Sequence, residues 1–293
     1  MPEGVVCLAL AGGLQVSTVR MDKVFRDPGP STASVPAMPV PDIADRRHRS
    51  ARHQAADAGV VPRHASLFGQ GKKGISNIEL GRRLGISTNA AWRLQHKLMQ
   101  AMLERDRRYK LGAAGPRIEI DDAYIGGERT GEGSGRGRRG HTPFIVAIET
   151  SDDGRPLYAR LQVVRGFRAG ETKRLCSGVE AGTTVVSDGG QWFRCIAEQP
   201  GIVHERHVTG SDRRAARHPA FRWANTVLAN VKNSLLAAHR VVGAKHLPRY
   251  LGAFAWRFNR RFVLKTIHER LAIAATTTPP MPYRLLKLAE ARW

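Results

Sequence analysis

Residues 117–124 constrain the fold of this chain more than any other segment, because they carry the alternating pattern of a β-strand with two unlike faces. Ile118 and Ile120 would enter a core on one face. Glu119 and Asp121 lie side by side on the other face. An acidic face of this kind is either open to solvent or holds a metal ion, and the strand taken alone favours the solvated alternative.

The sequence after this strand predicts an α/β domain. Further strands are predicted at residues 142–149, 156–164, 183–188 and 204–208, and helices at 171–179, 191–197, 221–236 and 246–275. The segment 183–188 is short, rich in β-branched residues and ends on Asp188. Active sites of α/β sheets commonly lie at that carboxyl edge, so this aspartate is a candidate site residue.

The net charge narrows the choice of partners. The 293 residues include 47 lysines and arginines against 25 acidic residues, which gives +22 at pH 7 and an isoelectric point near 11.1. Such an excess favours a nucleic acid, whose phosphates supply affinity that does not depend on sequence. A chain that is merely soluble and basic, or an assembly protein that binds RNA, would show the same excess.

Residues 1–65 show no sustained period and are interrupted by prolines, so we expect a disordered or divergent basic arm. The apolar run at 5–14 is too short for a membrane span and lacks the basic start of an export signal. The three cysteines form no CxxC pair, which argues against a disulfide framework or a thiolate zinc site. We therefore expect a cytoplasmic protein without a membrane segment.

Residues 66–110 predict a helix-turn-helix. Ser76 is placed to cap a first helix, with Glu79 three residues later as in a capping box. A turn at Gly85 precedes a second helix, whose inward side would carry Ala91, Leu94, Leu98, Met99 and Met102. Its groove-facing side would carry Ser87, Thr88, Asn89, Arg93 and Lys97. Any helical hairpin can show this pattern, and the charge of the chain favours the DNA-binding interpretation.

The acids Asp121 and Asp188 would converge if their strands share a sheet. Two adjacent carboxylates repel each other unless they are protonated or bridged by cations. Mg²⁺ is typically held by one or two carboxylates together with substrate phosphates, and a pair of such ions can promote displacement at a phosphodiester. In a basic chain these aspartates suggest DNA strand cleavage or transfer, although an aspartate at a strand end also commonly caps a turn.

Five blocks of the sequence, in this order, resemble the motifs of ISXO-like insertion-sequence transposases. They are the helix-turn-helix block at 74–99, EIDDAYIGGE at 119–128, VSDG at 186–189, WANTVLANVK at 223–232 and RYLGAFAWRFNRR at 249–261. The resemblance spans residues 66 to 290. It implies an α/β, ribonuclease-H-like fold at 115–293, with a mixed sheet flanked by helices, after the small helix-turn-helix. It also implies DDE-type transposition with Mg²⁺ or Mn²⁺.

The resemblance further implies roles for individual residues. Asp121 and Asp188 would be catalytic metal ligands. Asn225 and Lys232 match a branch of the family in which asparagine replaces the usual glutamate seven positions before a lysine. Asn225 would offer a neutral oxygen to a metal ion or water, with a helix cap or a DNA hydrogen bond as alternatives. Lys232 would contact the scissile or target phosphate.

The expected partners follow from the same resemblance. They are double-stranded DNA, both as terminal inverted repeats and as target, and further copies of the chain, because such transposases act as multimers. The expected location is the nucleoid within the cytoplasm. Arg257, Arg260 and Arg261 would line a DNA path, although a solvated helix face would look alike.

The sequence also departs from the family. Its members usually begin with a four-cysteine zinc ribbon, which residues 1–65 do not contain, and the Gly-Thr-Tyr-His tract expected after Lys232 reads Ala237-Ala238-His239-Arg240. The main alternative is therefore a catalytically inactive transposase remnant, or a helix-turn-helix DNA-binding protein. A ribonuclease-H-like nuclease that cleaves without joining is a second alternative.

Overall fold

The structure, a computed structural model, describes residues 8–10, 13–15, 73–126, 141–208, 218–239 and 242–289. The chain divides into two units, Met1–His64 and Ala65–Trp293. In the first unit, β1 (Leu8–Leu10) and β2 (Gly13–Gln15) pair as antiparallel strands, and the rest of the expected basic arm lies outside the described residues. No helix in the part of the chain that the structure describes is long and apolar enough to cross a bilayer.

The second unit is built on a five-stranded mixed sheet. Its strands are β3 (Arg117–Ile125), β4 (Thr142–Thr150), β5 (Pro156–Val163), β6 (Thr183–Asp188) and β7 (Ile202–His207). Their order is β5-β4-β3-β6-β7, with β3, β4 and β5 antiparallel to one another in turn and with β6 and β7 running parallel to β3. An antiparallel meander extended on its other side by parallel strands is the ribonuclease-H-like sheet that the resemblance implies, so the predicted fold class is confirmed.

Helices flank this sheet. Those described are α1 (Asn77–Leu84), α2 (Thr88–Arg107), α3 (Ala169–Cys176), α4 (Arg222–Ala238), α5 (Leu247–Asn259), α6 (Ile267–Thr277) and α7 (Tyr283–Leu288). Short 3₁₀ helices lie at Gln191–Ile196, Pro219–Phe221, Ala244–His246 and Leu264–Thr266. α4 packs against β3 and β4, whereas α5 packs against β5 and α2.

The apolar face of β3 explains its central place in the sheet. Ile118 and Ile120 are 0% exposed and belong to one buried cluster with Ile145 and Val185. Complete burial of a side chain of this size contributes about 1.5–3 kcal/mol, so the alternation decides which face of β3 enters the core. The opposite face is not solvated as the strand alone suggests, because the carboxylate of Glu119 is buried against the start of α4.

The predicted helical hairpin is present. Ser76 accepts a hydrogen bond from the N–H of Glu79 at 3.2 Å, and Ser87 caps α2 in the same way through the N–H of Ala90 at 3.2 Å. Between the helices, Gly85 has a φ of 64°, which glycine adopts without strain. The predicted inward positions are all buried: Ala91, Leu94, Leu98, Met99 and Met102. The hairpin is therefore confirmed as structure, and its contact with DNA stays a prediction.

The prediction of one helix over 246–275 is wrong, since the chain forms α5 and α6 with a break after Asn259. The N–H of Arg260 donates to the carbonyl of Arg257, only three residues back, which tightens the last turn and ends the helix. The Asn259 side chain then turns to the edge of the sheet. It accepts from the N–H of Ala159 at 2.7 Å and donates to the carbonyl of Ala159 at 3.1 Å, as a neighbouring strand would.

Asp106, near the end of α2, binds the residues at the end of α5 through its carboxylate. Its Oδ1 accepts from Nη2 of Arg260 at 2.7 Å, and its Oδ2 accepts from Nη1 of Arg260 at 3.2 Å and from Nδ2 of Asn259 at 3.0 Å. The side chains of Arg260 and Asp106 are only 11% and 10% exposed. One buried ion pair and one amide thus join α2, α5 and β5.

A group of histidines around one buried ring is expected to make the unit sensitive to acid. His96 of α2 is 0% exposed, and its ring centroid lies 4.8 Å from that of His246 and 5.4 Å from that of Tyr250. Burial, and then the charges of His246, Arg249 and His239, lower the pKa of His96 from 6.5 to about 3. The folded chain therefore keeps this imidazole neutral at pH values where an unfolded chain protonates it.

We expect acidification to destabilise the unit through His96. The unfolded state binds this proton below pH 6.5 and the folded state only near pH 3, so the free energy of unfolding falls as the pH falls through that window. The slope for one group is at most about 1.4 kcal/mol per pH unit. Urea unfolding of wild-type and His96→Gln chains between about pH 7.5 and about pH 4.5 measures it. The decrease should be smaller in the variant, and equal decreases would contradict the assignment.

Candidate active site

The register of β3 and β6 brings together two acids that are far apart in the sequence. Ile120 pairs with Ser187 in this parallel pair, so the next residues along the strands, Asp121 and Asp188, are direct neighbours. Residues in register on parallel strands point to the same face of a sheet. The backbone thus sets the two carboxylates beside each other.

A third acid completes the group. Ligand oxygens of Asp121, Asp122 and Asp188 all lie within 4.8 Å of one another, and all three residues are half-buried. The N–H of Asp122 donates to Oδ1 of Asp121 at 2.8 Å, and the N–H of Gly190 donates to Oδ1 of Asp188 at 3.0 Å. Each bond orients a carboxylate through one oxygen and leaves its other oxygen for a ligand. In the described part of the chain, this is the one group of three or more acids, histidines or cysteines close enough to share a metal ion.

The electrostatics of this group favour a bound cation. Burial is the main cause that raises the pKa of Asp121 from 3.8 to about 6, and the charge of Asp188 adds to it. The hydrogen bond from Asp122 and the charge of Lys232 act in the opposite direction. A cation between the carboxylates would remove the repulsion that disfavours their ionised forms.

Helix α4 carries the other two predicted site residues. Asn225 is half-buried in its first turn, and Lys232 is exposed. Seven residues correspond to about two helical turns, so both lie on one side of the helix. The positive charge of Lys232 opposes the rise in the pKa of Asp121, so this side of α4 lies next to the carboxylates.

The same region matches a known protein family. The family model is described as the ISXO2-like transposase domain, and it matches residues 112–259, just over half of the 293 residues. The match extends from the residues before β3 to the end of α5 and contains every element of the site described above. The chain belongs to the ISXO2-like transposase family.

Solved structures similar to this transposase have low sequence identity to it. One is a simian T-cell lymphotropic virus intasome in complex with PP2A regulatory subunit B56 gamma, at 11% identity over 69% of this chain and 70% of that chain, with a TM-score of 0.35. A second is a pre-cleavage Mos1 transpososome, at 11% identity over 81% of this chain and 88% of that chain, with a TM-score of 0.30. A third is the Mos1 strand transfer complex, at 14% identity over 84% of this chain and 81% of that chain, also with a TM-score of 0.30. At these scores they add no argument to the family match. Comparison with curated proteins gives no match.

The donor set of the transposase fits a divalent metal ion. Three carboxylates offer only oxygen ligands, which Mg²⁺ and Mn²⁺ prefer. Asp121 and Asp188 are placed as the sequence predicts, whereas Asp122 is a ligand candidate that the strand pattern argues against. Adjacent residues of a strand point to opposite faces, yet a carboxylate oxygen of Asp122 lies within 4.8 Å of oxygens of Asp121 and Asp188.

The residues predicted to contact DNA from the helix-turn-helix differ in their surroundings. Ser87, Thr88 and Asn89 are exposed at the start of α2. Arg93 is also exposed, and its guanidinium carbon lies 4.2 Å from the centroid of the Tyr283 ring. Lys97 is half-buried and has a partner within the chain. Ser87, Thr88, Asn89 and Arg93 are therefore exposed to a partner, and Lys97 is less accessible.

The three arginines predicted to line a DNA path also have contacts inside the fold. Arg260 forms the buried ion pair with the acid of α2, and Arg261 donates to the carbonyl of Pro156. Burial lowers the pKa of Arg257 to about 10, and its guanidinium packs so close to Gly74 that a Cβ there would lie 3.3 Å from Nη2. These contacts hold α5 against the rest of the unit, and the contact of the three arginines with DNA stays a prediction.

Glu119 has a more specific position than the sequence indicates. Burial raises the pKa of its carboxyl, while hydrogen bonds from the N–H groups of Ala224 and Trp223 oppose that shift. The two residues are more than a hundred positions away in the sequence, so only the fold reveals this contact.

Proposed function

We propose that this chain is a DNA transposase that cleaves the transferred strand at the 3′ end of its element and joins that end to target DNA. The observation that carries the proposal is the group of three carboxylates on β3 and β6 inside a transposase family domain. In the first step water attacks the phosphodiester and the bond to the 3′ oxygen breaks. In the second step the freed 3′ hydroxyl attacks a target phosphodiester, a new bond to phosphorus forms, and the bond to the target's own 3′ oxygen breaks to release a target 3′ hydroxyl.

The carboxylates would hold divalent metal ions. Asp121 and Asp188 would bind them through the oxygens that their backbone hydrogen bonds do not use, and Asp122 would add a ligand. Bound Mg²⁺ or Mn²⁺ would supply activation of the attacking oxygen and charge stabilisation of the leaving one. The chain itself contributes position and a fixed arrangement of charge, without a covalent intermediate on the protein.

Two side chains of α4 would act on the DNA beside these acids. The ammonium group of Lys232 would contact a non-bridging oxygen of the scissile or target phosphate. The neutral amide of Asn225 would orient a water molecule or a metal ligand without adding negative charge. With one negative charge fewer than a site that has glutamate at this position, we expect weaker metal binding, because affinity rises with the charge of the ligands.

The hairpin of α1 and α2 would recognise the inverted repeats. Its exposed residues Ser87, Thr88 and Asn89 stand at the start of the second helix, where a helix-turn-helix contacts base edges, and Arg93 and Lys97 follow along the same helix. The net charge of +22 would supply affinity for phosphates. Paired ends would be held by at least two copies of the chain.

Strand cleavage and joining by the full chain test the proposal. The probe is a labelled duplex that carries the terminal inverted repeat of the element encoding the chain, with a supercoiled plasmid as target. We expect 3′-end cleavage and joined products with Mg²⁺ or Mn²⁺ and none with EDTA. A duplex with the repeat scrambled should give no products.

Three other results would each overturn part or all of the proposal. Tight binding of the repeat without products in either metal would leave a helix-turn-helix DNA-binding protein. Cleavage without joining would leave a nuclease. Products of equal yield in EDTA would exclude the metal role of the three acids.

A further inference from the structure

The carboxylate of Glu119 caps helix α4 from outside the helix. Its Oε2 accepts hydrogen bonds from the backbone N–H groups of Trp223 at 2.8 Å and Ala224 at 2.9 Å. Glu119 is 4% exposed and shares its face of β3 with Asp121, two residues further along the strand. One side chain therefore links the strand of the carboxylate site to the first turn of the helix that carries Asn225.

Helix α4 has no side-chain cap of its own. Its N-cap residue, Phe221, makes no side-chain hydrogen bond to the first turn, and the first four N–H groups of any helix have no partner within it. A carboxylate at this end is also favoured by the helix dipole. A second contact holds the same turn, since Nε1 of Trp223 donates to the carbonyl of Gly154 at 2.6 Å. The start of α4 is thus attached to β3 through Glu119 and to the turn between β4 and β5 through Trp223.

We propose that Glu119 is a positioning residue for the transposase reaction. By capping α4 it sets the distance of Asn225 and Lys232 from Asp121. The inference rests on the proposed function, because it gives Glu119 a role within that reaction. Misplacement of a reacting group by about 1 Å can cost about 10²-fold in rate, so a small shift of α4 has a large effect. Both hydrogen bonds end on one oxygen, so the role requires an acceptor at this point and not a second oxygen.

Three substitutions separate positioning from simple stabilisation. Glu119→Gln keeps an acceptor oxygen at the same reach and removes the charge. Glu119→Asp keeps the charge and withdraws the acceptor by one methylene group, and Glu119→Ala removes both. Trp223→Phe is the matched control, because it removes the other hydrogen bond of the same turn and leaves the cap in place.

The rate of cleavage on the labelled repeat at saturating Mg²⁺ should fall about 10²-fold in Glu119→Asp and Glu119→Ala and remain near the wild-type value in Glu119→Gln and Trp223→Phe. The affinity of the free chain for Mn²⁺, measured by calorimetry, should stay close to the wild-type value, because the three aspartates are unchanged. Hydrogen exchange at the amides of Trp223 and Ala224 should become about tenfold faster in Glu119→Asp and Glu119→Ala only.

Wild-type cleavage by Glu119→Asp or Glu119→Ala would overturn the positioning role. A Glu119→Gln variant as slow as Glu119→Ala would also overturn it, because the charge and not the acceptor would then matter. Parallel losses of Mn²⁺ affinity and rate would assign Glu119 to the metal site. Failure of the proposed function is recognised separately, as a wild-type chain without products. In that case an unchanged rate of hydrogen exchange at the two amides in Glu119→Ala would show that Glu119 does not cap α4.

Discussion

Asp188→Asn is expected to lower the rate of metal-dependent cleavage and joining by about 10³-fold or more. The substitution keeps the size of the side chain and an oxygen that can accept the hydrogen bond from Gly190, but it removes one negative charge from the group of three acids. Metal-ion stabilisation of charge at a phosphodiester is worth several kcal/mol, and each 1.36 kcal/mol corresponds to about a tenfold change in rate. The loss should appear in both steps, because the proposed mechanism uses one site for both.

The measurement is product formation from the labelled repeat over time, together with the Mn²⁺ affinity of the free chain. Affinity for the repeat in EDTA should not change, because the acids lie outside the hairpin that is proposed to recognise it. Asp152→Asn is the matched control, since Asp152 is an exposed acid in the turn between β4 and β5. Products from Asp188→Asn at the wild-type rate would refute the assignment of the site.

Asp106→Ala is expected to reduce the free energy of unfolding by about 3–5 kcal/mol. The substitution leaves the guanidinium of Arg260 buried without its partner, and removing one partner of a buried ion pair typically costs this much. It also removes the acceptor for Asn259, so the contact between α2, α5 and β5 loses all three of its hydrogen bonds to this carboxylate.

Denaturant unfolding of the wild-type and variant chains at neutral pH measures this change. Arg83→Ala is the control, because it breaks the exposed pair with Glu79, in which the side chains are 54% and 43% exposed. An exposed pair at this helical spacing contributes only about 0.3–0.5 kcal/mol. Equal effects of the two substitutions would show that the Asp106 pair is solvated and structurally unimportant.

The fold could be predicted where local pattern and burial agree. The strand at β3 follows from alternation, β6 from a short β-branched run, and the hairpin of α1 and α2 from two serine caps around Gly85. The break after α5 could not be predicted, because it depends on contacts of Asn259 with a strand a hundred residues earlier. No local pattern in a single sequence records such a contact.

The candidate active site also has residues that could be predicted from the sequence and residues that could not. Asp121 could be selected because it lies on an acidic strand face, and Asp188 because it ends a short β-branched strand. The parallel register of these strands then brings the two residues together. Asp122 could not be selected, because strand alternation places it on the other face. The buried ion pair of Arg260 could not be predicted either, because positive charge in a sequence does not distinguish an exposed side chain from one paired inside the fold.

The side chain of Asn259 has a further consequence for a protein that is expected to gather several copies on one DNA. β5 is an edge strand, and an open edge offers unpaired N–H and C=O groups to any other strand nearby. At Ala159 both groups are already taken by the amide of Asn259. A strand of another copy therefore cannot pair with β5 at this residue, and the helix break limits edge-to-edge pairing where several copies are held at a high local concentration.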